Sequence, residues 1–353
     1  MKSGNWILML TLLLVAFGII MVGNASFADA MADFGDKWHY VRFQTIWGAI
    51  GLIIMVISSR FSIKKLELLS QIFLYINIFL LILVLIPGIG NKILGARRWL
   101  GFGSFGFQPA ELVKLTLTIY LAKLLSISEY SLKKIIYIVG SILTLVMLEP
   151  DMGTSIIILL ISVTMYFGSG KSLVPLALTV PIVGLIFGAL IIFSPYRLER
   201  LKSYLDFQRD TQGSSYHIRQ ALLGIGSGGI WGVGFGQSKQ KYQFLPEVTT
   251  DSIFAVYAEE TGFVGSVVLI GVFGWLVYQG LAIAKASRQN FMSLMALGIT
   301  SWVGWQFVIN VAAMTALFPL TGVPLPFISY GGSSLVVLLC AMGLIVNISR
   351  NST

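Results

Sequence analysis

The stretch Gln237-Ser-Lys-Gln-Lys-Tyr-Gln-Phe-Leu-Pro-Glu-Val-Thr-Thr-Asp-Ser-Ile-Phe-Ala-Val-Tyr-Ala-Glu-Glu260 places two carboxylates, Glu247 and Asp251, directly before a long apolar run. Two basic side chains, Lys239 and Lys241, precede these acids, and a glycine-rich segment precedes the lysines. Because most of the remaining chain is apolar, this stretch marks a boundary at which water, charge and lipid meet. It therefore predicts a membrane-embedded fold and a place for carboxylate chemistry on a lipid headgroup.

The composition of the 353-residue chain is that of a polytopic membrane protein. Hydrophobic residues make up 56% of the chain and charged residues 11%, whereas soluble domains carry about 25% charged residues. The net charge is +9, but the basic residues are scattered in short loops, which favours lipid headgroups or a pyrophosphate over nucleic acid. One cysteine, Cys340, and two histidines, His39 and His217, exclude a disulfide framework and a metal cluster built from these residues.

Apolar runs long enough to cross a bilayer occur throughout the chain. A transmembrane helix needs about 20 predominantly apolar residues, so the sequence predicts an all-α fold of about ten spans with a large outer loop between the seventh and eighth. The spans fall near residues 5–23, 43–59, 67–87, 109–126, 133–149, 153–168, 172–194, 252–280, 290–314 and 328–348. The first is expected to be an uncleaved anchor, because its apolar core of about 19 residues exceeds the 7–15 residues of a signal peptide.

The distribution of lysine and arginine among the loops predicts the orientation of the spans. With a cytoplasmic N-terminus, eleven basic residues fall on the cytoplasmic side and five in the short loops opposite. Since cytoplasmic loops carry the excess of basic residues, both termini are expected in the cytoplasm. Loops 88–108, 149–152, 195–251 and 315–327 are then expected outside, and the whole chain is expected to form one membrane domain.

The long outer loop, residues 195–251, has two recognisable parts. Apolar residues recur at helical spacing over 198–207, between charged residues, which predicts an amphipathic helix on the bilayer surface. Residues 224–236 contain seven glycines, which permit tight bends and close approach to a ligand. Matches to Gly-x-Gly-x-x-Gly occur here and at 101–106, but neither lies in a strand–helix unit, so the dinucleotide interpretation is rejected.

Asp251, at the start of the eighth predicted span, has two compatible interpretations. Aspartate is a favoured helix N-cap, whose carboxylate accepts hydrogen bonds from unpaired backbone N–H groups. Asp251 is also a candidate general base at the membrane surface. Glu247, close to it in the sequence, is a candidate substrate-binding residue, and Lys239 and Lys241 are candidates to bind an anionic headgroup.

Glu259 and Glu260 lie further into the same apolar run. In a continuous helix they stand about 12–14 Å beyond Asp251 along the axis. Since a charged residue at the bilayer centre costs about 2.5–3.5 kcal/mol on insertion scales, both are expected to face a polar cavity or a charged partner. A structural ion pair and a secondary catalytic role both stay open.

Two segments near the fourth predicted span carry charges suited to an anionic ligand. Arg97 and Arg98 lie in an outer loop, against the positive-inside trend, and an arginine fork matches phosphate oxygens. A solvated interfacial loop is the alternative. Pro109 suits the first position of the next helix, in which Glu111 and Lys114 share a face at i, i+3. These two residues either neutralise each other or present the lysine to a headgroup.

Two further loops are expected on the same outer side. Glu149-Pro150-Asp151 places two acids in a tight turn, in which Asp151 is a candidate N-cap for the sixth span and a secondary site residue. Residues 324–334, which include Ser333 as a further candidate, form a Pro- and Gly-rich approach to the last span. Irregular backbone within a membrane lines a protein or water cavity, so both loops are expected to face the same compartment as Asp251.

Six ordered motifs make the chain similar to the SEDS family (shape, elongation, division and sporulation), which includes RodA, FtsW and SpoVE. The motifs are Gly95-Ala-Arg-Arg-Trp99, Gln108-Pro-Ala-Glu-Leu-Val-Lys-Leu115, Glu149-Pro-Asp-Met-Gly-Thr154, Leu245-Pro-Glu-Val-Thr-Thr-Asp251 with Ile253-Phe-Ala255, Glu259-Glu-Thr-Gly262 and Pro324-Leu-Pro-Phe-Ile-Ser-Tyr-Gly-Gly-Ser-Ser334. The resemblance covers residues 90–349 by motif and nearly the whole chain by span layout.

The resemblance implies a peptidoglycan glycosyltransferase of the bacterial cytoplasmic membrane that polymerises lipid II for cell division or cell shape, with Asp251 as the essential acid. It also implies a partner, a monofunctional penicillin-binding transpeptidase, and other divisome or elongasome membrane proteins. The chain departs from the family pattern at Ser252, where phenylalanine is usual, and at Thr249. The run that begins at Gln237 looks closer to the FtsW and SpoVE branch than to RodA.

The implied reaction needs positive charge where undecaprenyl pyrophosphate departs. The predicted sources are Arg97, Arg98, Lys114, Lys239 and Lys241. A divalent cation, Mg²⁺ or Mn²⁺, is a further possible source, although no metal-ligand spacing in the sequence indicates one.

Two other functions compete with the enzyme. A lipid II flippase without chemistry needs a polar path through the bilayer, and Gln306, Asn310, Glu259 and Glu260 are the few residues placed to line it. A scaffold that only recruits the transpeptidase needs no essential carboxylate. The concentration of charge in the outer loops favours the enzyme over the flippase.

Overall fold

The computed structural model describes residues 3–93, 96–102, 105–127, 132–172, 215–242 and 244–351, together with Val174, Gly188, Leu198 and Tyr204. The helices of these residues are α1 (Ser3–Ala25), α2 (Phe27–Phe34), α3 (His39–Ser58), α4 (Ile63–Leu85), α5 (Pro109–Ser126), α6 (Leu132–Leu148), α7 (Met152–Gly168), α8 (Tyr216–Ser227), α9 (Ile253–Ala286), α10 (Asn290–Met314) and α11 (Gly332–Asn351).

Every predicted span outside residues 172–194 coincides with a helix of the structure. Six helices of the described part, namely α1, α3, α4, α9, α10 and α11, are long and apolar enough to cross a membrane. The predicted span at 172–194 and the predicted surface helix at 198–207 lie outside the described residues. The short helix α2 was not predicted; it ends at Gly35, whose left-handed backbone (φ 65°) closes the last turn.

Contacts between helices show which ends of the bundle lie together. A Cβ atom added to Gly4 of α1 would lie 2.4 Å from Oγ of Ser349 of α11, so the two ends of the chain lie side by side. At the opposite end, Gln44 of α3 bonds to Ser329, and the loops that precede α5, α7, α9 and α11 meet there. This end is named the cavity end below. The prediction that the termini face the cytoplasm stays a prediction.

The centre of the bundle consists of helices that are buried around most of their circumference. These helices are α5, α10 and α11, whereas α3 and α4 leave one face exposed. Small residues let such helices approach closely within a membrane. The approach of α11 to α3 is an example, because a Cβ atom on Gly343 would lie 2.4 Å from the carbonyl oxygen of Met55.

A small antiparallel sheet interrupts the otherwise α-helical fold at the cavity end. Strands β1 (Asn91–Ile93), β2 (Ala96–Phe102) and β3 (Phe105–Phe107) pair in the order β1-β2-β3. The expectation of helices and loops alone is therefore wrong for this segment, because β1 and β3 have three residues each and the seven residues of β2 do not alternate between apolar and polar. The pairing of β2 with β1 is irregular at Arg98, because Asn91 pairs with Trp99 and Lys92 pairs with Arg97.

The eighth predicted span consists of two helices. Gly262, inside α9, has a non-helical backbone (φ 67°, ψ −165°) that separates residues 253–261 from residues 263–286. The last carbonyl groups of the first helix and the first N–H groups of the second helix bond to residues 229–234. These are the backbone groups that a helix end leaves unpaired, so one loop satisfies both helix ends at the break.

The break at Gly262 is a reversal of chain direction. Tyr257 Oη donates a hydrogen bond to the Gly265 carbonyl oxygen at 2.7 Å, although residues 257 and 265 would stand about 12 Å apart along a straight helix. Trp275 packs against Trp6, with ring centroids 5.9 Å apart. Since Trp6 lies near the start of α1, residues 263–286 run from the cavity end toward the opposite end.

Residues 253–261 run the other way, toward the cavity end. Phe17, in the interior of α1, packs against Tyr257 with ring centroids 5.6 Å apart. Asn24, near the end of α1, donates to a carboxylate oxygen of Glu260. Residue 260 is therefore closer to the cavity end than residue 257. The prediction that Glu259 and Glu260 lie deeper than Asp251 is wrong, because it assumed that the helix after Asp251 runs into the membrane, whereas residues 253–261 run toward the cavity end.

Candidate active site

A cavity of about 370 Å³ opens where the loops of the cavity end meet. Its size falls in the range of about 300–1,000 Å³ that is typical of ligand sites. The lining residues are Ala96, Arg98, Trp99, Gln108, Glu111, Asp151, Thr154, Glu247, Thr250, Asp251, Gly322, Pro324, Tyr330, Gly331 and Ser334. The structure therefore brings together five predicted site residues, Arg98, Glu111, Asp151, Glu247 and Asp251, from four separate segments.

The cavity wall is recessed into the bundle relative to the helix ends of the cavity end. Asn310 Nδ2 donates to the carbonyl oxygen of Asp251 at 2.8 Å, and Asn310 stands four residues, or about 6 Å, before the end of α10. Gln44 Nε2 donates to the carbonyl oxygen of Ser329 at 3.2 Å, and Gln44 stands five residues, or about 7.5 Å, inside α3. The segments around Asp251 and Ser329 are therefore recessed by more than one helical turn.

Asp251 lies in the cavity wall and does not cap α9. The helix follows Ser252, which makes no side-chain cap bond, so the N-cap interpretation of Asp251 is wrong. The Thr250 hydroxyl lies 3.3 Å from Oδ1 of Asp251 and donates at 2.9 Å to Oε2 of Glu247. Thr250 therefore links the two carboxylates that the sequence placed before the apolar run.

Ser252 fixes the turn that connects Asp251 to α9. Its Oγ donates to the carbonyl oxygen of Pro246 at 2.8 Å and lies 2.6 Å from Nε2 of His217. His217 belongs to α8, so this serine joins α8 to the loop that carries Asp251. A phenylalanine at this position offers neither hydrogen bond, which gives the departure at Ser252 a structural role.

The backbone of the cavity loops is strained. Glu247 (φ 53°) and Phe327 (φ 64°) adopt the left-handed conformation, which is uncommon for residues other than glycine. Such residues cost about 1–3 kcal/mol and persist where the surrounding structure enforces them. One enforcing contact joins the two loops, because the Tyr330 N–H donates to the Thr249 carbonyl oxygen at 2.8 Å. The loop that carries Asp251 is therefore held in a defined shape.

Two amide side chains, one turn apart on α10, hold the cavity walls. Gln306 Oε1 accepts a bond from Lys114 Nζ at 3.1 Å, and Gln306 Nε2 donates to the Pro324 carbonyl oxygen at 2.9 Å. Asn310 Nδ2, which holds the Asp251 backbone, also donates to the Val323 carbonyl oxygen at 2.8 Å. Both amides are buried, so α10 positions the 322–334 loop, the Asp251 loop and α5 relative to one another.

Glu111 and Lys114 form the ion pair that their spacing predicted. Lys114 Nζ lies 2.9 Å from Oε1 of Glu111, and both side chains are buried. The ammonium also lies 4.9 Å from the ring centroid of Trp302, a cation–π distance. Glu111 lines the cavity but Lys114 does not, so the structure does not bring Lys114 to the cavity as the headgroup ligand that was predicted.

Arg98 links the sheet to the turn that precedes α7 through side-chain hydrogen bonds. Its Nε donates to the Glu149 carbonyl oxygen at 2.9 Å and its Nη2 donates to the Pro150 carbonyl oxygen. The Glu149 carboxyl is buried, and neither of its oxygens has a hydrogen-bond partner among the described residues. Burial, with a smaller contribution from the charge of Asp151, raises the pKa of Glu149 to about 9 despite the opposing effect of Arg98. Glu149 is therefore protonated at neutral pH.

Asp151 has the N-cap role that the sequence predicted. Its Oδ1 accepts a bond from the Thr154 N–H at 3.0 Å, which caps α7. Its Oδ2 accepts a bond from Gln108 Nε2 at 3.1 Å. The Gln108 N–H donates at 3.1 Å to Oγ of Ser333, so Ser333 supports the wall without lining the cavity.

Lys241 and Glu260 form a buried ion pair away from the cavity lining. Lys241 Nζ lies 3.2 Å from Oε1 of Glu260 and donates to Asn24 Oδ1 at 2.8 Å and to the Gly236 carbonyl oxygen at 2.6 Å. All three ammonium hydrogens thus have acceptors. The structure supports the ion-pair alternative for Glu260, and the predicted role of Lys241 in pyrophosphate binding stays a prediction without support from its position.

Glu259 is bound by the same loop. Its carboxylate accepts bonds from Oγ of Ser238 and, at 3.1 Å, from the Lys239 N–H. The Lys239 side chain is exposed and does not line the cavity. The residues Asn24, Ser238, Lys241, Glu259 and Glu260 are named the anchor cluster below, because they fix the loop that pairs with the break in α9.

The fold and the site match one known family. Residues 5–353 match the profile of the FtsW/RodA/SpoVE family, which is described as a family of cell cycle proteins. The chain belongs to this family. Together with its spanning helices, this membership makes it a multi-pass protein of the inner membrane.

Curated relatives match this family member along almost their whole length. Stage V sporulation protein E of Bacillus subtilis is 37% identical over 354 residues, with 98% of this chain and 96% of the relative covered. The probable peptidoglycan glycosyltransferase FtsW of Coxiella burnetii is 37% identical, with coverage of 98% and 95%.

Solved structures share the fold. A chain of a peptidoglycan synthase complex, reported for the coordination of polymerization and crosslinking, has a TM-score of 0.77 at 28% identity, and 98% of this chain and 97% of that chain are covered. Thermus thermophilus rod shape determining protein RodA has a TM-score of 0.72 at 29% identity, with coverage of 98% and 96%.

The described residues do not form a recognisable site for the predicted divalent cation. Across the described ranges, no group of three or more His, Cys, Asp or Glu side chains is arranged to hold a metal. Glu247 and Asp251, linked by Thr250, supply only two such side chains. The cation therefore stays a prediction, and no step is derived through it.

Sequence reasoning missed several residues that the structure brings to the cavity. Gln108 and Thr154 stood inside the quoted motifs but carried no predicted role, although Gln108 bonds to Asp151 and Thr154 completes the cap. Asn310 was assigned to a different function. A single sequence shows that such residues lie near a span end, but it does not show which face of the helix they occupy.

Proposed function

We propose that this protein is a peptidoglycan glycosyltransferase that polymerises lipid II at the outer face of the cytoplasmic membrane, in cell-wall synthesis for division or elongation. The observation that carries the proposal is Asp251, whose side chain lines a recessed cavity at one end of a membrane bundle while its backbone is held by Asn310. A relative of similar length is named a probable peptidoglycan glycosyltransferase, which agrees with this assignment.

The proposed reaction joins two lipid-linked sugars. The 4-hydroxyl of the GlcNAc of lipid II attacks the anomeric carbon of MurNAc at the end of the growing strand. A new glycosidic C–O bond forms, and the bond from the anomeric carbon to undecaprenyl pyrophosphate breaks with inversion. Asp251 accepts the proton of the attacking hydroxyl as a general base, a role that contributes about 10²–10⁴-fold in enzymes.

The cavity supplies one cation for the departing pyrophosphate. Arg98 lines the cavity, and its donors to the 149–150 backbone fix the guanidinium in place. Donors that are positioned before charge develops stabilise it without reorganisation. Two acids of the cavity wall have structural roles, because Asp151 caps α7 and Glu111 is paired with Lys114. Glu247 and Asp251, which line the same cavity, are the carboxylates assigned to the reaction.

The orientation and the partner follow from the same proposal. Both termini face the cytoplasm, as the excess of basic residues in the loops of that side favours, and the cavity end faces outward. A monofunctional penicillin-binding transpeptidase crosslinks the new strands beside this protein. The likeness to a chain from a complex that coordinates polymerization and crosslinking supports such a partner.

The residues named for a flippase path have other roles in the structure. Gln306 and Asn310 bond to Lys114 and to the backbone of the cavity loops. Glu259 and Glu260 belong to the anchor cluster. Because these side chains are bound in place, they do not line a continuous polar path, and the geometry favours the enzyme.

The test is an assay of lipid II polymerisation by the purified protein with its transpeptidase, comparing wild type with Asp251→Asn. Asp36→Asn, in the loop between α2 and α3, is the matched control, because it removes one carboxylate from the same end of the protein. We expect wild type and control to make glycan and Asp251→Asn, still folded and partner-bound, to make none. Polymer formation by Asp251→Asn contradicts the assignment of the base. Inactivity of the wild type, where a control enzyme is active, returns the flippase or scaffold to consideration.

A further inference from the structure

A second cavity, of about 310 Å³, lies beside the first at the cavity end. Its lining residues are Leu85, Lys92, Ala96, Arg97, Leu148 and Pro150. Ala96 lines both cavities, and strand β2 with the turn at 149–150 forms the wall between them. The two arginines predicted to act together are therefore divided, with Arg98 facing the Asp251 cavity and Arg97 facing the second one.

The second cavity holds two cations side by side. Lys92 and Arg97 are directly opposite each other in the pairing of β1 with β2, so their side chains leave the same face of the sheet about 5 Å apart at Cβ. Like charges in this arrangement repel and destabilise a strand pair. Across the part of the chain that the structure describes, neither cation has a carboxylate within ion-pair distance. An anion placed between them removes this repulsion.

The other side of the second cavity is apolar and is formed at the ends of two helices. Leu85 is the last residue of α4 and Leu148 is the last residue of α6, and the Leu148 side chain is exposed. Two cations beside the apolar ends of α4 and α6 suit a lipid with a phosphate headgroup. The phosphate binds the cations at the surface, and the apolar chain of the lipid packs along the helices. A soluble anion makes no use of the apolar part.

We propose that Lys92 and Arg97 bind the phosphate of a second lipid-linked substrate, the acceptor lipid II. This inference rests on the proposed function, since a polymerase must hold two lipid-linked sugars at once. The pyrophosphate of the donor leaves from the reacting carbon, whereas that of the acceptor stays bonded and lies a disaccharide away from the attacking hydroxyl. A phosphate site separated by a wall from Asp251, yet adjacent to it, suits the pyrophosphate that does not react.

The first arm of the test measures binding without catalysis. Farnesyl pyrophosphate, a short prenyl pyrophosphate, is titrated into the full-length protein in detergent, and bound molecules are counted by native mass spectrometry. The double variant Lys92→Ala/Arg97→Ala is compared with Lys64→Ala/Lys65→Ala, which removes two adjacent exposed cations from the opposite end of α4. We expect the first variant to lose one binding event, with affinity reduced about tenfold or more, and the second to lose none. Unchanged binding by the first variant overturns the proposal.

The second arm distinguishes the source of the phosphate. We expect the KM for lipid II to rise about tenfold or more in Lys92→Ala/Arg97→Ala, with kcat at saturation retained. If phosphatidylglycerol instead displaces the probe at this site and the KM is unchanged, the site holds a membrane phospholipid and the assignment to acceptor lipid II is overturned. The binding count is independent of turnover. Loss of the proposed function in the Asp251 assay is therefore separable from loss of this site.

Discussion

Two groups of charged residues at the cavity end, close in sequence, are built in opposite ways. In the anchor cluster, the Lys241 ammonium has three acceptors, and both glutamates accept bonds from the loop that they hold. In the cavity, Asp251 and Glu247 share one hydroxyl donor and line an open volume. The comparison teaches that buried acids surrounded by hydrogen-bond donors and a cation, such as Glu259 and Glu260, stabilise the fold. Asp251 and Glu247 instead line a cavity, and the Asp251 backbone is held by Asn310.

The largest expected effect is on activity, and it distinguishes the cavity acids from the anchor cluster. Asp251→Asn lowers the polymerisation rate by at least about a hundredfold, the lower bound for a general base, because the amide cannot accept the proton. The free energy of unfolding in detergent stays within about 0.5 kcal/mol of wild type, since the amide has the size of the carboxyl and the side chain is not a helix cap. A variant that unfolds instead of losing turnover places Asp251 with the anchor cluster and contradicts the comparison.

The next effect separates the groups by stability. Lys241→Ala leaves the Glu260 carboxylate buried without its cation, and removal of one partner of a buried pair costs about 3–5 kcal/mol. Lys239→Ala is the matched control, because only its backbone N–H takes part in the cluster; we expect a change within about 0.5 kcal/mol. Chemical unfolding in detergent measures both variants. Equal effects of the two substitutions are incompatible with a buried pair.

A smaller effect tests whether α10 positions Asp251. Asn310→Ala removes the amide that holds the Asp251 and Val323 carbonyl groups and costs about 1–3 kcal/mol. Asn347→Ala, at the opposite end, removes an amide that likewise donates to two carbonyl oxygens, those of Ser58 and Phe61. We expect similar losses of stability, but a lower kcat in the folded fraction only for Asn310→Ala. Equal kcat values in the two variants speak against positioning.

The last expected effect is on the pH dependence of stability and not on activity. The folded-state pKa of Glu149 is raised to about 9, above its ordinary value, so its contribution to stability is complete below the unfolded pKa. That contribution declines as pH rises toward 9, because unfolding then releases a proton. Glu149→Gln, which stays neutral, is expected to flatten this decline in unfolding temperature between pH 5 and pH 9. Glu67→Gln, on α4, is the control, and a decline of the same steepness in Glu149→Gln rules out Glu149 as its source.

The sequence predicted most of the fold because membrane spans are read from apolar length. Each predicted span within the described residues has its helix, and the i, i+3 spacing of Glu111 and Lys114 predicted their pair. Gly262 escaped notice because glycine is common in membrane helices, and nothing local distinguishes one that reverses the chain. The predicted depth of Glu260 was wrong because residues 253–261 run toward the cavity end and the chain reverses only after them, at Gly262.

The site was predicted as a set of residues but not as an arrangement. Asp251, Glu247 and Arg98, three of the predicted site residues, line the same cavity. The pairing of Lys241 with Glu260 depends on how the loop before Asp251 folds back, and the division of Arg97 from Arg98 depends on a strand without alternating apolar and polar residues. Both facts depend on tertiary contacts, which hydropathy and spacing do not encode.

The recess of Asp251 below the helix ends makes membrane thickness a variable of the reaction. Its depth is set by Asn310, a residue of a spanning helix, whereas the height of a substrate phosphate is set by the lipids around it. A bilayer thicker than the apolar length of the helices is strained locally at a cost of fractions of a kcal/mol per Å, and it raises the headgroup plane relative to the carboxylate. We therefore expect turnover in vesicles of graded acyl-chain length to be highest at one bilayer thickness. That thickness depends on the distance from Asn310 to the end of α10.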